Sequence, residues 1–250
     1  MAPDRTGAGE GTESFLRHMV DAMDEERADI PIGWEHLKMI ETLASVTARR
    51  SSDGVGQANQ SALIGTALSA LYQAATCHRG CRNTGHLLEA LSGRAYNLGS
   101  AAYLLIARGF YDEALNLVRG IGEIANLISL SAVDKEVFQK WVDADARTRR
   151  RDFTPMKIRK VLEQKGPELM IADQEWYSRL CEAYTHVGPA TFPNMHNGSG
   201  IPTVGGIHQS EGVERALEEL SNIVVVLALQ ICKYFDFDDL FDQLERELRA

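Results

Sequence analysis

Hydrophobic positions recur every three or four residues along most of this chain, which is the spacing of side chains on one face of an α-helix. Glycine, proline and capping residues separate the stretches that carry the pattern. This arrangement predicts an all-α fold, an antiparallel bundle of about eight to ten helices. The clearest stretches are residues 13–29, 34–50, 58–77, 86–107, 111–131 and 211–234.

Start and stop signals place the ends of several helices. Gly109 lies between two long apolar stretches, and glycine adopts the left-handed conformation of a helix C-cap without strain. The short link around it makes these two helices antiparallel neighbours. Asp134 is a predicted N-cap for a helix over 135–149. Pro155 is the predicted first residue of the next helix, and Asp173 caps the one after that.

A long segment rich in glycine and proline, residues 188–211, interrupts the helical pattern. Loops of this length are uncommon inside a compact domain and often carry function. We expect a short hairpin around residues 201–204 and a flexible lid or a partner-binding loop overall. Three histidines lie in or beside the segment, but His186, His196 and His208 are spaced too widely for a compact zinc motif.

Length and composition indicate one helical domain. With 250 residues, of which 44% are hydrophobic, the chain can bury a sizeable core. Residues 1–12 lack the apolar segment of a signal peptide, and we expect a disordered lead-in there followed by a single domain over 13–250. No apolar stretch is long enough to span a membrane. The expected location is therefore the cytoplasm, without a membrane partner.

The cysteines offer a weak indication of a metal site. In a chain without an export signal, Cys77, Cys81, Cys181 and Cys232 are expected to be reduced thiols. The first two, followed by His86, look like part of a zinc site, but no second Cys/His pair has a suitable spacing. We therefore expect buried thiols on one helix face, with no metal ion and no other cofactor.

Charge is distributed unevenly along the chain. The whole sequence has a net charge of −9, which argues against general coating of nucleic acid. Residues 147–165, however, carry eight basic and two acidic side chains, so this segment could attract phosphate locally. The alternative is a solvated surface that pairs with the acidic C-terminus. The candidate RNA-binding residues in the segment are Arg147, Arg149, Arg150, Arg151, Lys157, Arg159 and Lys160.

The strongest chemical candidate is the pair Arg179 and His186. Seven residues make almost two helical turns, so both side chains would lie on one stripe of a helix, about 10 Å apart along its axis. A guanidinium can hold a phosphodiester, and an imidazole can move a proton near neutral pH. Gly188 and Pro189 end the predicted helix and leave His186 near an open end.

Four short motifs lie within about residues 86–190: Gly109-Phe-Tyr-Asp-Glu-Ala114, Leu117-Val-Arg-Gly-Ile-Gly-Glu123, Trp141 and Tyr184-Thr-His186. They resemble an uncharacterised bacterial helical family that is in turn similar to the HEPN superfamily. This likeness implies a HEPN-like core over about 86–235. HEPN domains are typically dimeric helical bundles, and many are metal-independent ribonucleases of toxin or phage-defence systems. The resemblance therefore implies RNA as substrate, a homodimer, and an antitoxin or another protein as partner.

The resemblance also assigns roles to single residues. The hallmark of the superfamily is an arginine, four to six residues, and then a histidine, which Arg179 and His186 match. The residue after the arginine is commonly polar in active members, whereas here it is Leu180. Arg79 and His86 form a second pair with the same spacing, in a stretch weakened by glycine.

Three further residues are candidates for supporting the site. Tyr184 could position a base or a ribose. Arg119 and Glu123 lie one turn apart in a very apolar helix, so if buried they must pair with each other or with a third group such as His186 or Tyr184. Such a group could either fix the bundle or form a polar pocket beneath the site.

A different function fits the same residues. A histidine at the C-terminus of a helix is stabilised by the helix dipole, and an arginine nearby is often only a surface charge. The alternative prediction is a non-catalytic helical module for protein interaction or dimerisation.

Overall fold

The computed structural model of this chain is helical throughout the residues it describes, which are 30–51, 55–81, 85–189 and 191–249, with only the backbone given for 55–57. Ten α-helices account for most of them, and no strand occurs in these ranges, which confirms the all-α prediction. One turn of 3-10 helix, Pro167–Leu169, lies between α7 and α8. The helices are α1 (Trp34–Ser51), α2 (Val55–Ala75), α3 (Leu87–Ala107), α4 (Tyr111–Val133), α5 (Lys135–Asp143), α6 (Ala146–Asp152), α7 (Pro155–Lys165), α8 (Gln174–Tyr184), α9 (Ser210–Phe235) and α10 (Asp238–Leu248).

The chain divides into two units after Thr42. In the first unit, the first turns of α1 are exposed to solvent and carry an ion pair between Lys38 and Glu35 at 2.9 Å. The second unit begins at Leu43 and contains the remaining helices. The lead-in expected over 1–12 and the helix expected over 13–29 lie outside the described residues.

The hydrophobic core of the second unit is centred on α4 and α9, with α2 and α3 packed against them. Leu115, Ile121, Leu220 and Leu227 are among its completely buried side chains. Burying a side chain of this size contributes about 1.5–3 kcal/mol to folding. A smaller cluster around Leu162 packs α7 against the end of α4.

The turn between α3 and α4 has the predicted glycine cap. Gly109 has a φ angle of 80°, the left-handed conformation expected of it. The turn also contacts the backbone of the long loop, since a Cβ atom on Gly109 would lie 2.7 Å from the carbonyl oxygen of Ile207. A Cβ atom on Gly206 would lie 2.2 Å from the carbonyl oxygen of Arg108. Neither glycine could gain a side chain without moving the other segment.

The helix predicted over 135–149 is instead two helices, α5 and α6. The chain becomes extended at Ala144, and the side chain of Asp145 then accepts a hydrogen bond from the backbone N–H of Thr148 at 2.7 Å. An aspartate that caps a new helix competes with continuation of the old one. The other caps are as predicted, because Asp134 and Asp173 accept backbone hydrogen bonds and Pro155 begins α7.

The long loop between α8 and α9 contains no hairpin, since the described residues around 201–204 form no strand. Its centre is fixed to α4 instead. The side-chain oxygen of Asn194 accepts from the backbone N–H groups of Tyr111 at 3.2 Å and Asp112 at 3.4 Å, so it caps this helix from a distant part of the chain. Asp112 in turn accepts from the Asn194 backbone N–H at 2.6 Å and contacts the His196 ring at 2.7 Å.

The end of the loop is fixed to α1. The hydroxyl of Thr47 donates to the carbonyl oxygen of Gly206 at 2.7 Å, and the Ser51 hydroxyl lies 3.3 Å from Nδ1 of His208. Burial, and to a smaller extent the nearby positive charge of Arg50, lowers the pKa of His208. The neutral form of this histidine is therefore the one that fits the fold.

We expect Asn194→Ala to lower the free energy of unfolding by about 2 kcal/mol, because it removes the cap of α4 from a buried position. Chemical denaturation followed by circular dichroism measures this change. Asn197→Ala is the matched control, since Asn197 is a partly exposed residue of the same loop whose side chain, within the described residues, bonds to loop atoms alone. Equal losses in the two variants would show that Asn194 does not anchor the loop.

His208 should make stability depend on pH. Because its pKa is lower in the folded than in the unfolded chain, its contribution is complete above the usual imidazole pKa of about 6.5 and is lost as the pH falls below that value. We therefore expect the wild type to lose more stability between pH 8 and pH 5 than His208→Gln does. Thermal unfolding at several pH values compares the two proteins, and parallel curves would contradict the assignment.

Candidate functional site

The candidate pair lies at α8 and just after it. Asp173 caps the start of the helix, accepting from the backbone N–H of Trp176 at 2.8 Å. The helix ends at Tyr184, so His186 lies two residues beyond it rather than in its last turn. The backbone N–H of His186 still donates to the carbonyl oxygen of Cys181 at 2.9 Å. The backbone of His186 is therefore held near the helix end, and the residue is exposed to solvent.

Two contacts fix the rotation of α8. The indole ring of Trp176 packs against Gly122 of α4. The contact is so close that a Cβ atom on this glycine would lie 2.5 Å from the ring. Glu219 of α9 accepts from the indole N–H at 2.8 Å with one carboxylate oxygen, and from Arg179 at 2.5 Å with the other. Leu180 is completely buried in the core, which leaves the other side of the helix to face solvent.

Arg179 and His186 line the same open groove, which has a volume of about 930 Å³. The Arg179 side chain is 44% exposed, and within the described residues only one of its terminal nitrogens, Nη1, makes a hydrogen bond. That bond to Glu219 raises the pKa of Arg179, so the guanidinium is always charged. Glu175 and Glu182 also line the groove and make it less attractive to anions.

Tyr184 is not among the residues that line this groove. Its ring stacks on the His196 ring with centroids 6.0 Å apart, and the Arg215 guanidinium lies 5.7 Å from its centroid. Burial raises the pKa of the phenol. The geometry gives Tyr184 a part in holding the long loop rather than a position for contacting a base in the groove.

Arg119 and Glu123 pair with each other at 2.5 Å, and the third member of the group is Tyr177. The Tyr177 hydroxyl accepts from Arg119 at 2.6 Å and donates to Glu123 at 2.7 Å, and the Arg159 guanidinium lies 4.1 Å above its ring. Burial and the hydrogen bond to Glu123 raise the pKa of Tyr177 well above its usual value. None of these contacts involves His186 or Tyr184, so this network fixes α4, α7 and α8 together.

The basic segment is mostly exposed, but Arg159 is an exception. It is buried, and its guanidinium donates to the side-chain oxygen of Gln174 at 2.9 Å and 3.2 Å, so it is not available to an RNA backbone. Among the described residues, acidic partners come from nearby: Asp152 pairs with Arg151 at 2.6 Å, and Asp134 pairs with Lys165. The candidate residues that remain at least partly exposed are Arg147, Arg149, Arg150, Arg151, Lys157 and Lys160.

Glu219, which accepts hydrogen bonds from both Arg179 and Trp176, was not predicted from the sequence as part of the site. This carboxylate is buried within the apolar face of α9, next to Leu220 and Ala216. An acidic residue within a continuous apolar stripe is a detectable sign of a buried partner, although the pattern does not identify that partner.

Comparisons with known proteins give the candidate site no additional support. No family model, no curated protein and no solved structure matches this chain significantly. In the described ranges, no helix combines the length and apolar character needed to cross a bilayer. The HEPN resemblance therefore depends on the sequence motifs alone.

We expect Glu219→Ala to reduce the free energy of unfolding by about 2 kcal/mol, since it leaves the buried indole N–H of Trp176 without its acceptor. The part of this loss that comes from the ion pair with Arg179 should be under about 1 kcal/mol, because the Arg179 side chain is half exposed to solvent. A double-mutant cycle with Arg179→Ala measures that share. Glu218→Ala, at the exposed neighbouring position, should change stability little, and a comparable loss there would contradict the assignment to Glu219.

Proposed function

We propose that this protein binds RNA in the groove beside α8 and cleaves it without a metal ion, as a HEPN-like ribonuclease of a bacterial defence or toxin system. The observation that carries the proposal is that Arg179 and His186 line one solvent-open groove. A fixed cation and a solvent-exposed imidazole in one cleft are the groups that cleavage by an internal hydroxyl requires.

The chemistry follows from the nucleophile that RNA itself supplies. The 2′-oxygen attacks the adjacent phosphorus, His186 takes the proton of the 2′-hydroxyl, and the bond from phosphorus to the 5′-oxygen breaks. The departing 5′-oxygen takes a proton from water. Arg179 stabilises the additional negative charge on the phosphorane through the guanidinium nitrogens that do not contact Glu219. The products are a 2′,3′-cyclic phosphate and a 5′-hydroxyl.

A homodimer suits this groove better than a single chain does. Glu175 and Glu182 place two negative charges beside Arg179, which weakens the attraction of one groove for phosphate. A two-fold axis near the groove would bring in a second Arg179 and a second His186. The exposed basic segment would add attraction for the RNA backbone that does not depend on base sequence. We place the activity in the cytoplasm, restrained by an antitoxin or another protein.

A non-catalytic interaction module is the second candidate, and the long loop provides the observation that favours it. The side chains of Val187 and Val204 are 93% and 84% exposed, and Phe192 and Ile201 are also exposed. The loop is anchored at Asn194, so these apolar groups are presented on a fixed backbone. Exposed apolar patches on an ordered surface are typical of protein-binding sites.

The test of the enzyme is the integrity of RNA incubated with purified protein. We expect the wild type to cleave single-stranded RNA in the presence of a metal chelator, and His186→Ala and Arg179→Ala to lower the rate at least about a hundredfold. Arg94→Ala and His36→Ala are the controls, since both residues lie outside the groove. Cleaved ends should carry cyclic phosphate.

Two results would contradict the proposal. One is RNA that stays intact with the wild type, and the other is cleavage that His186→Ala leaves unchanged. If RNA stays intact and the protein nevertheless forms a complex that Val204→Asp disrupts, the interaction module is the better description.

A further inference from the structure

The turn between α2 and α3 brings together three side chains that bind transition metals. The ligand atoms of Cys77, Cys81 and His86 all lie within 4.8 Å of one another, and Cys77 Sγ is 3.5 Å from His86 Nδ1. Neither cysteine lies on a helix, because α2 ends at Ala75, and Cys81 is exposed. The expectation of buried thiols on one helix face is therefore wrong for these two residues.

A buried carboxylate next to this cluster has one oxygen without a hydrogen bond in the described part of the chain. Glu89 is only 3% exposed, and the oxygen concerned is its Oε1. The same oxygen lies 3.8 Å from His86 Nδ1. Buried carboxylates are normally paired or bound to a metal ion. The open Oε1 of Glu89 is therefore placed to bind a cation together with His86 and the two thiols.

The charges that would surround a cation here also fit. In the part of the chain that the structure describes, no lysine or arginine forms an ion pair with Glu89. A divalent cation would supply positive charge at this position, since it favours thiolates and carboxylates at the same time.

The turn is held in place by Arg79. Its guanidinium donates to the Gln73 side chain at 2.7 Å and to both carboxylate oxygens of Asp239 at 2.5 Å and 2.9 Å, and it lies 4.9 Å above the Phe237 ring. These bonds connect the turn to α2 and to α10. They also occupy Arg79, which removes the second arginine–histidine pair as a nuclease candidate.

We propose that Cys77, Cys81 and His86 bind one Zn²⁺ ion, with the carboxylate of Glu89 in the fourth position. Thiolate and imidazole ligands together suit zinc, which prefers four ligands in a tetrahedron. With Zn–S and Zn–N bonds of about 2.3 Å and 2.0 Å, a sulfur and a nitrogen on one ion lie about 3.5 Å apart. The separation of Cys77 Sγ from His86 Nδ1 already has this value, 3.5 Å.

Binding is accompanied by loss of protons. Cys77 and Cys81 each release one thiol proton to solvent as the two Zn–S bonds form, while His86 binds through a neutral nitrogen. The ion joins the end of α2 to the first turn of α3. It also holds the left-handed backbones of Cys77 and His86, which have φ angles of 51° and 45°. This role is structural and separate from the groove that Arg179 and His186 line.

The experiment is a titration of the reduced, chelator-treated chain with Co²⁺, followed by displacement with Zn²⁺. We expect one ion per chain, the absorption bands of thiolate-bound tetrahedral cobalt, and release of two protons. Cys77→Ser and Cys81→Ser should weaken zinc binding at least a hundredfold, and Glu89→Gln should weaken it about tenfold to a hundredfold. Cys181→Ser is the control and should bind as the wild type does. Far-UV circular dichroism confirms that each variant is folded.

Alkylation of the thiols gives an independent measurement on the unmodified protein. Zinc should protect Cys77 and Cys81 from iodoacetamide. Cys232 should be unreactive with and without the ion, because burial raises its pKa to about 12. The proposal is overturned if the reduced wild type does not bind cobalt, or if cobalt binds equally in the Cys77→Ser/Cys81→Ser variant. A Cys77–Cys81 disulfide in a chain that binds no metal after reduction would overturn it as well.

Discussion

No residue next to the N-terminus of α4 caps this helix. The arrangement of much of the second unit depends on the distant residue that does. Phe110 stands at the N-cap position and has no side-chain acceptor. The N–H groups of the first turn, which have no partner within the helix, therefore need one from elsewhere. Asn194 supplies it and is held there by Asp112. Gln209, just before α9, also donates to the Asn194 carbonyl oxygen at 2.9 Å. One cap thus determines the path of the long loop and the position from which α9 starts.

Glu219 has a comparable effect on the candidate site. Its two oxygens bind different side chains of α8, so Arg179 cannot turn without affecting Trp176, which is packed on α4. The result is a guanidinium that is fixed on one side and open to the groove on the other. This geometry is useful for holding an anion, since the arginine pays little conformational entropy on binding. The acidic side chains in the same groove oppose it, and therefore a second copy of the chain is part of the proposed mechanism.

Helix ends that depend on neighbouring residues could be predicted from the sequence, and contacts between distant segments could not. Gly109, Asp134 and Asp173 were identified because a cap needs only a residue type next to an apolar pattern. Asp145 was missed, because aspartate also occurs inside helices and Val142 and Ala146 on either side of it keep the helical spacing. Arg119 and Glu123 were expected to pair, but Tyr177 could not be chosen as their third partner from spacing alone. Glu89 could not be identified as a metal ligand from the sequence, because a single glutamate at the start of a helix matches no cysteine–histidine zinc motif.

The contact between the turn at Gly109 and the loop at Gly206 has a consequence for how this chain can change over evolutionary time. Each glycine is needed because the backbone of the opposite segment occupies the space of a side chain. A substitution at one position alone pushes the segments apart, and a substitution at the other does not restore the contact. The two glycines are therefore expected to be kept or lost together, although they are far apart in sequence. Among related chains, loss of glycine at either position should accompany a rearranged loop.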